Sequence, residues 1–498
     1  MGYYATMRSN RMKRCLRVSA IQDWMSAASS GRVALFHSTG VATVTGTGSR
    51  WNNFGLLHVG WYGDGTLNVK AGGVVFNTTG YIGRYSSSTG EVTVTGSDSQ
   101  WNNSGNLDVG YSGTGTLNVE SGGVVSNTHG YLGHEIGSTG VATVTGSGSQ
   151  WNNSSALYVG YKGTGTLNIE NAGVVSNTTG YIGDNFGSMG IVTVTGAGSQ
   201  WNNSGVLNVG FRSTGALNVT DGGVVSNASY SVIGHYSGSK GVATVTGSNS
   251  QWNSSGLLVG YQGSGTLNIE AGGVVSNEDN GYLGDNFGST GIVTVTGAES
   301  QWTNSNSLYI GGSRLEAGGS GTLNIDDSGL VTVSGTTKLW SGGTVNLNGG
   351  TLDVGVLDLT LGTFNMLDGL LHADSVVDDL NNQGGTLAPG KSPGILTVTD
   401  NYIQGAAATL EIELGGTVRG DEYDALIVNG NLTLNGSLDV LPIDGFVPQA
   451  GDLFDILDFE PANLSGLFDV VNLPALTSDM EWDQTNLYTT GELLVSLS

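Results

Sequence analysis

Along most of the chain, apolar and polar residues alternate in short runs broken by glycine. Gly115-Thr116-Leu117-Asn118-Val119-Glu120 is one such run. Gly140-Val141-Ala142-Thr143-Val144-Thr145 repeats its phase, with Ala142 and Val144 in the places of Leu117 and Val119. Period-two alternation with β-branched residues predicts strands buried on one face. Two shorter apolar runs accompany the first, Leu107-Asp108-Val109 before it and Val124-Val125 after it. The next unit has Tyr131-Leu132 and Gln150 to Asn152 in the same places. Glycines at Gly110, Gly113, Gly115, Gly122 and Gly123 fall between the runs, where tight corners need positive φ and close packing.

The runs recur at a fixed interval. Asparagine stands at Asn52, Asn77, Asn102, Asn127, Asn152, Asn177, Asn202 and Asn227, a spacing of 25. Glycine does the same at Gly40, Gly65, Gly90, Gly115, Gly140, Gly165, Gly190 and Gly215, and valine or isoleucine follows four residues after each. Tryptophan returns at twice that period, at Trp51, Trp101, Trp151, Trp201, Trp252 and Trp302. Three strands and three corners per 25 residues predict one coil of a β-solenoid, the coils stacking as parallel strands about 4.8 Å apart. The Val/Ile column is then an internal apolar ladder. The asparagines are expected in one vertical file, each amide bonding its neighbours above and below. The column Trp51, Phe76, Trp101, Ser126, Trp151, Ser176, Trp201, Ser226 alternates large and small, so each indole is expected over a serine. That aromatic stripe has two readings: rings that shield the core at one corner, or a platform on which sugars stack.

The repeat also divides the chain. Residues 1–35 stand outside it as an irregular tail, 36–312 form the regular array, and 313–384 keep its texture in shorter coils. The array loosens at Ser229 to Lys240 and at Glu278 to Asn280. Residues 385–498 carry larger apolar strands, such as Leu410-Glu411-Ile412-Glu413-Leu414, expected to form a β cap or a small β-sandwich. A cap is needed because an open solenoid end presents unpaired strand groups that invite association.

Composition narrows the partners. The formal net charge is −25 with only 16 Lys and Arg, which disfavours nucleic acid and anionic membrane surfaces. From Ser320 onward 25 acids face only Lys338, Lys391 and Arg419. A single cysteine, Cys15, leaves no intramolecular disulfide framework. Arg8, Arg11, Lys13, Arg14 and Arg17 resemble the head of an export signal. The apolar stretch of about 7 to 15 residues that should follow is broken by Arg17, Gln22 and Asp23, so the signal is degenerate. No run of about 20 apolar residues marks a transmembrane helix.

Candidate chemistry is sparse. Gly385-Thr386-Leu387-Ala388-Pro389-Gly390-Lys391-Ser392 fits a phosphate-loop pattern, but Pro393-Gly394 and a strand follow where a helix is required. Glycan-cleaving β-helices need gathered carboxylates or an acidic metal site. Here the charges vary between units, as in Glu120, Thr145, Glu170, Thr195, Thr220. His134 beside Glu135 reads as an isolated, solvated pair. Asp378-Asp379 and Asp421-Glu422-Asp424, with Arg419 near, read as acidic turns rather than calcium loops. No catalytic, cofactor-binding or metal residue is assigned.

Val-Thr-Val-Thr-Gly, then Ser-Gln-Trp-Asn-Asn-Ser-Gly, then Leu157 to Gly160, then Gly165 to Glu170 resembles the repeat shared by type V autotransporter passengers and PEP-CTERM surface proteins. The resemblance covers residues 36–335. Gly385 to Gly394, Tyr423 to Val428 and Gly451 to Leu457 are similar to the segment preceding an autotransporter's membrane barrel. It implies an all-β, right-handed parallel β-helix of bacterial origin, displayed on or released from the cell surface. The barrel or sorting tail that such proteins carry does not occur before Ser498, so secretion route and anchoring stay open. The expected function is a non-enzymatic, monomeric extracellular or cell-surface scaffold in adhesion or surface structure, with a host-cell, matrix or glycan surface as partner. The alternative is a carbohydrate-binding or carbohydrate-cleaving β-helix that works along the tryptophan column.

Overall fold

The computed structural model describes residues 14–19, 30–33, 39–477 and 479–498. Apart from the strand backbones Arg14–Ser19 and Ser30–Val33, the signal-like tail lies outside the described residues. The chain divides into two compact units, Met1–Ala228 and Ser229–Ser498. Each is a β-solenoid of stacked parallel strands, and the described helical content is one short turn at Pro461–Asn463.

In the first unit each coil has a long strand, a second strand and a short third one. Thr114–Glu120, Val124–Asn127 and Gly130–Leu132 make one coil. Thr139–Thr145, Gln150–Asn153 and Leu157–Val159 make the next. The long strands pair in unbroken register, Leu117 against Val92 and Ala142, Val119 against Val94 and Val144. These side chains point inward and are fully buried, so the alternation read from sequence is the wall of an apolar core. Thr116, Asn118 and Glu120 point the other way.

The second strands correct the expected asparagine file. Asn102 lies beside Ser126, which lies beside Asn152. Asn127 instead lies beside Asn153, as Asn77 lies beside Asn103. The cause is in the corners. Three residues join the first two strands of one coil and four join those of the next, so the second strand slips by one residue and its side chains change face. The later corners compensate, with two then six residues in one coil and three then four in the next. Each coil keeps 25 residues, yet the structural repeat is a pair of coils.

The same slip relocates the indoles. Trp101 stacks between Val75 and Val125, and Trp151 between Val125 and Val175, not over serine. Trp101, Trp151 and Trp201 are wholly buried, as are Trp252 and Trp302 in the second unit. A buried indole N–H needs an acceptor. Trp151 Nε1 donates to Asn127 Oδ1 at 2.7 Å, and Asn127 Nδ2 donates to Asn153 Oδ1 at 2.6 Å. Trp101, Asn77 and Asn103 repeat this arrangement, as do Trp201, Asn177 and Asn203. Burying about 150–250 Å² per indole at about 25 cal/mol per Å² contributes about 4–6 kcal/mol each, before the entropy of ordering.

The second unit opens with coils of the same kind, its long strands Lys240–Thr246, Ser264–Glu270, Thr290–Thr296 and Ser320–Asp326 pairing in sequence. Coils then shorten. Asn346 Nδ2 donates to Asn324 Oδ1, 22 residues away, and Asn365 Nδ2 to Asn346 Oδ1, 19 residues away, both at 2.8 Å. Here a vertical amide ladder does form, on the outer face. Parallel pairing continues as far as Val470–Asn472, beside Ser437–Pro442. Leu453–Asp455, Met480–Asp483 and Glu492–Leu497 form a separate antiparallel sheet.

Candidate functional site

The third strand of each coil is short, with the pattern apolar–outward–apolar, and ends at a glycine corner. At Gly110 the backbone has φ +70°, and a Cβ there would lie 2.1 Å from Thr139 O, so the corner admits no side chain. The chain turns sharply and places the next residues beside the outward residue of the strand. In the first unit these positions collect rings and charges on one face: His58, Trp61 and Tyr62; Tyr81, Arg84 and Tyr85; Asp108 and Tyr111; Tyr131, His134 and Glu135; Tyr158, Tyr161 and Lys162; Tyr181 and Asp184; Phe211 and Arg212.

Tyr131, Tyr158 and Tyr181 form a ladder. Their centroids are 4.8 and 4.9 Å apart and their planes 2° and 6° from parallel, the spacing the stacked strands impose. Tyr161 meets both Tyr131 and Tyr158 edge to face. Because each ring covers its neighbour's face, the ladder offers solvent ring edges and phenol oxygens rather than open faces. Burial lifts the phenol pKa of Tyr131 to about 12 and raises that of Tyr158 as well. Both remain neutral hydrogen-bonding groups at physiological pH.

Charges are set among these rings. Asp108 is buried and accepts a hydrogen bond from His134 Nδ1. Burial raises its pKa, against the pull of His134 and Arg84. Lys162 Nζ lies 3.2 Å from Glu135 Oε2. His134 and Glu135 are therefore not an isolated solvated pair but the middle of an ionic chain. Burial lifts the Asp184 carboxyl to about 6, with Arg212 opposing. Burial, then Arg84 and Arg32, lower the His58 pKa to about 3, so that imidazole is neutral. The Arg84 guanidinium carbon sits 3.8 Å from the Tyr111 centroid, 4.7 Å from Tyr81 and 5.4 Å from Tyr85.

The residues singled out by sequence fall elsewhere. From Trp101 to Trp302 the tryptophan column is interior, which removes those rings as a sugar platform. Asp378 and Asp379 come together with Asp400, their carboxylate oxygens within 4.8 Å of one another, a grouping able to hold a hard cation. Asp379 Oδ1 already accepts from Asn401 N and Nδ2. Asp421, Glu422 and Asp424 do not converge. Asp424 is buried, accepts from Gly394 N at 2.6 Å and Glu413 N at 2.8 Å, and is lifted by burial to about 7. Glu422 Oε2 accepts from Thr417 N and Val418 N. Arg419 pairs with Asp455 at 3.0 Å. The phosphate-loop match crosses the strand Thr386–Pro389 and a turn and is followed by the strand Ile395–Val398. The tyrosine face was missed, although Gly-Tyr recurs at Tyr81, Tyr111, Tyr131, Tyr161 and Tyr181.

No family model matches the chain, and no curated protein matches it. Among solved structures it is similar to the crystal structure of a TibC-catalyzed hyper-glycosylated TibA fragment. Identity is 16%, over 67% of this chain and 97% of that one, with a TM-score of 0.40. A likeness that distant carries no functional weight.

Proposed function

We propose that the chain is a non-enzymatic scaffold of the extracellular space or bacterial cell surface, acting in adhesion or surface structure. The observation that carries this reading is the repeated Trp–Asn–Asn triad. At Trp101, Trp151, Trp201 and Trp302 a pair of coils commits its largest side chain and two amides to an internal anchor, while the outward face carries side chains free of that task. Within each unit such anchoring holds outward side chains at the fixed spacing of stacked strands. The repeat's resemblance to passenger and PEP-CTERM sequences supports the location. Antibody labelling and protease shaving of intact cells expressing the gene with its native flanks test it. Signal on intact cells is expected, and signal found only after lysis would overturn the location. Release of new reducing or unsaturated sugar ends from polysaccharide would overturn the non-enzymatic assignment.

A second reading, glycan binding, is favoured by the tyrosine face in place of the buried indoles. Phenol oxygens, carboxylates and cations in regular rows suit hydrogen bonding to sugar hydroxyls. On a glycan array the double variant Tyr131→Ala/Tyr158→Ala is expected to lose binding while keeping its β circular dichroism. Unchanged binding would exclude the Tyr131 and Tyr158 stretch and confine any glycan site to the other coils of this face.

A further inference from the structure

The charge of this chain is unevenly placed. Nine of the 16 Lys and Arg lie in the first 90 residues, against only two of the 41 acids, Asp23 and Asp64. Among the described side chains up to residue 90, Arg32, Arg50, Lys70 and Arg84 stand against Asp64 alone, so the first coils are basic where the rest of the chain is strongly acidic. Within them the cations meet rings. Arg84 is packed among Tyr111, Tyr81 and Tyr85, and Arg32 lies 4.3 Å from the Trp61 centroid. Tyr62 and Tyr85 stack at 4.0 Å, and Trp61 meets Tyr85 edge to face at 5.1 Å. His58 and Tyr62 both feel the field of Arg84 and Arg32, so the two guanidinium groups border one patch.

Both guanidinium groups have charge left to offer. Among the described residues neither forms an ion pair, although Arg84 acts at longer range on the buried Asp108 carboxylate. Ring packing of this kind fixes the plane of a guanidinium and leaves its in-plane donors for a carboxylate. Fields fade over about 8 Å at physiological ionic strength, so a small anion feels the two guanidinium groups with only Asp64 and the buried Asp108 near them, and not the acids of later coils. A long polyanion would run into them.

We propose that the aromatic and arginine patch of the first coils binds a short carboxylate-bearing saccharide, with Arg84 and Arg32 pairing its carboxylate and Trp61 and Tyr62 packing against its ring. This rests on the glycan-binding reading above and names the class of sugar.

The test uses the full chain and trigalacturonic acid as probe, with maltotriose as the neutral control, followed by isothermal titration calorimetry at low and high salt. Trigalacturonic acid is expected to bind, to weaken with salt, and to lose about tenfold or more in affinity in Arg84→Gln, the scale of a charge-assisted bond. Arg84→Lys keeps the charge but loses the planar fork, and is expected to fall between wild type and Arg84→Gln. Lys70→Gln, at an exposed cation that ends a long strand outside this face, is expected to bind as wild type does. Thermal melting of each variant separates loss of the site from loss of the fold. Equal affinity for maltotriose would overturn the acidic class while leaving glycan binding in place. No binding of either sugar, or of any glycan on the array, would overturn both. Oligodeoxythymidylate binding as tightly as trigalacturonic acid would reduce the patch to a non-specific anion site. Binding unchanged in folded Arg84→Gln would place the ligand elsewhere.

Discussion

Asn127 and Asn152 stand in the same 25-residue comb, yet the slip between coils gives them opposite faces. Their alanine variants should therefore behave differently. In Asn127→Ala the buried Trp151 Nε1 loses its acceptor and Asn153 Oδ1 loses its donor. Each stranded group costs about 1–3 kcal/mol, and with partial relaxation the pair amounts to about 2–5 kcal/mol. Asn152 is half-buried on the outside, and its Nδ2 reaches only Gln150 Oε1 at 3.2 Å. Asn152→Ala should cost no more than about 0.5 kcal/mol. Stacked repeats need not unfold in one step, so the urea midpoint and slope should be read together with hydrogen exchange of the amides at 100–103, 124–127 and 150–153. Asn127→Ala should lower the midpoint and the protection of these strands, while Asn152→Ala leaves both near wild type. Equal losses in the two variants, or a larger loss in Asn152→Ala, would refute the slipped register and restore a single asparagine file.

Other consequences follow from the same geometry. Trp151→Ala should cost about 3–5 kcal/mol in urea unfolding, and a smaller Trp151→Phe loss would isolate the Nε1 bond. Gly110→Ala should destabilise by several times the roughly 1 kcal/mol of an ordinary positive-φ substitution, because the new Cβ meets Thr139 O. Gly137→Ala, with φ +80° but open space, should show only the smaller penalty, and equal melting temperatures would argue against the tight corner. Asp184 has its pKa raised in the fold, so the folded state holds its proton more tightly than the unfolded one. Stability should therefore fall as pH rises from 3.8 to about 6 and level off above that. Asp184→Asn should flatten that part of the profile, and an unchanged pH slope would show that the carboxylate is not held away from water.

Much of the fold was legible because stacking forces like onto like. The apolar alternation at Leu117, Val119, Ala142 and Val144 reads directly as an inward wall. What was hidden is the compensation between corners. A residue gained in one corner of a coil is lost in another, so the sequence period stays at 25 while side chains on the second strand change face. A comb of identical residues aligns Asn127 with Asn152, and only the backbone path separates them. The tyrosine face escaped for a related reason. Tyr131 and Tyr181 share a 50-residue interval with Tyr81, but Tyr158 stands 27 and 23 residues from them, so no single comb shows that the three stack. The ionic chain around His134 was equally invisible, because Asp108 and Lys162 come from the coils on either side.

Coil stacking is most directly measured as a distance in solution. In a Cys15→Ser background, nitroxide labels at Ser126→Cys and Ser226→Cys sit on one outward file that runs through Asn152, Ser176 and Asn202. Four strand steps place these backbones about 19 Å apart. Double electron–electron resonance should give a single narrow distribution centred near that distance, widened by the label arms. A mean separation twice as long, or a broad distribution without a peak there, would contradict the stacked coil from which everything else here is built.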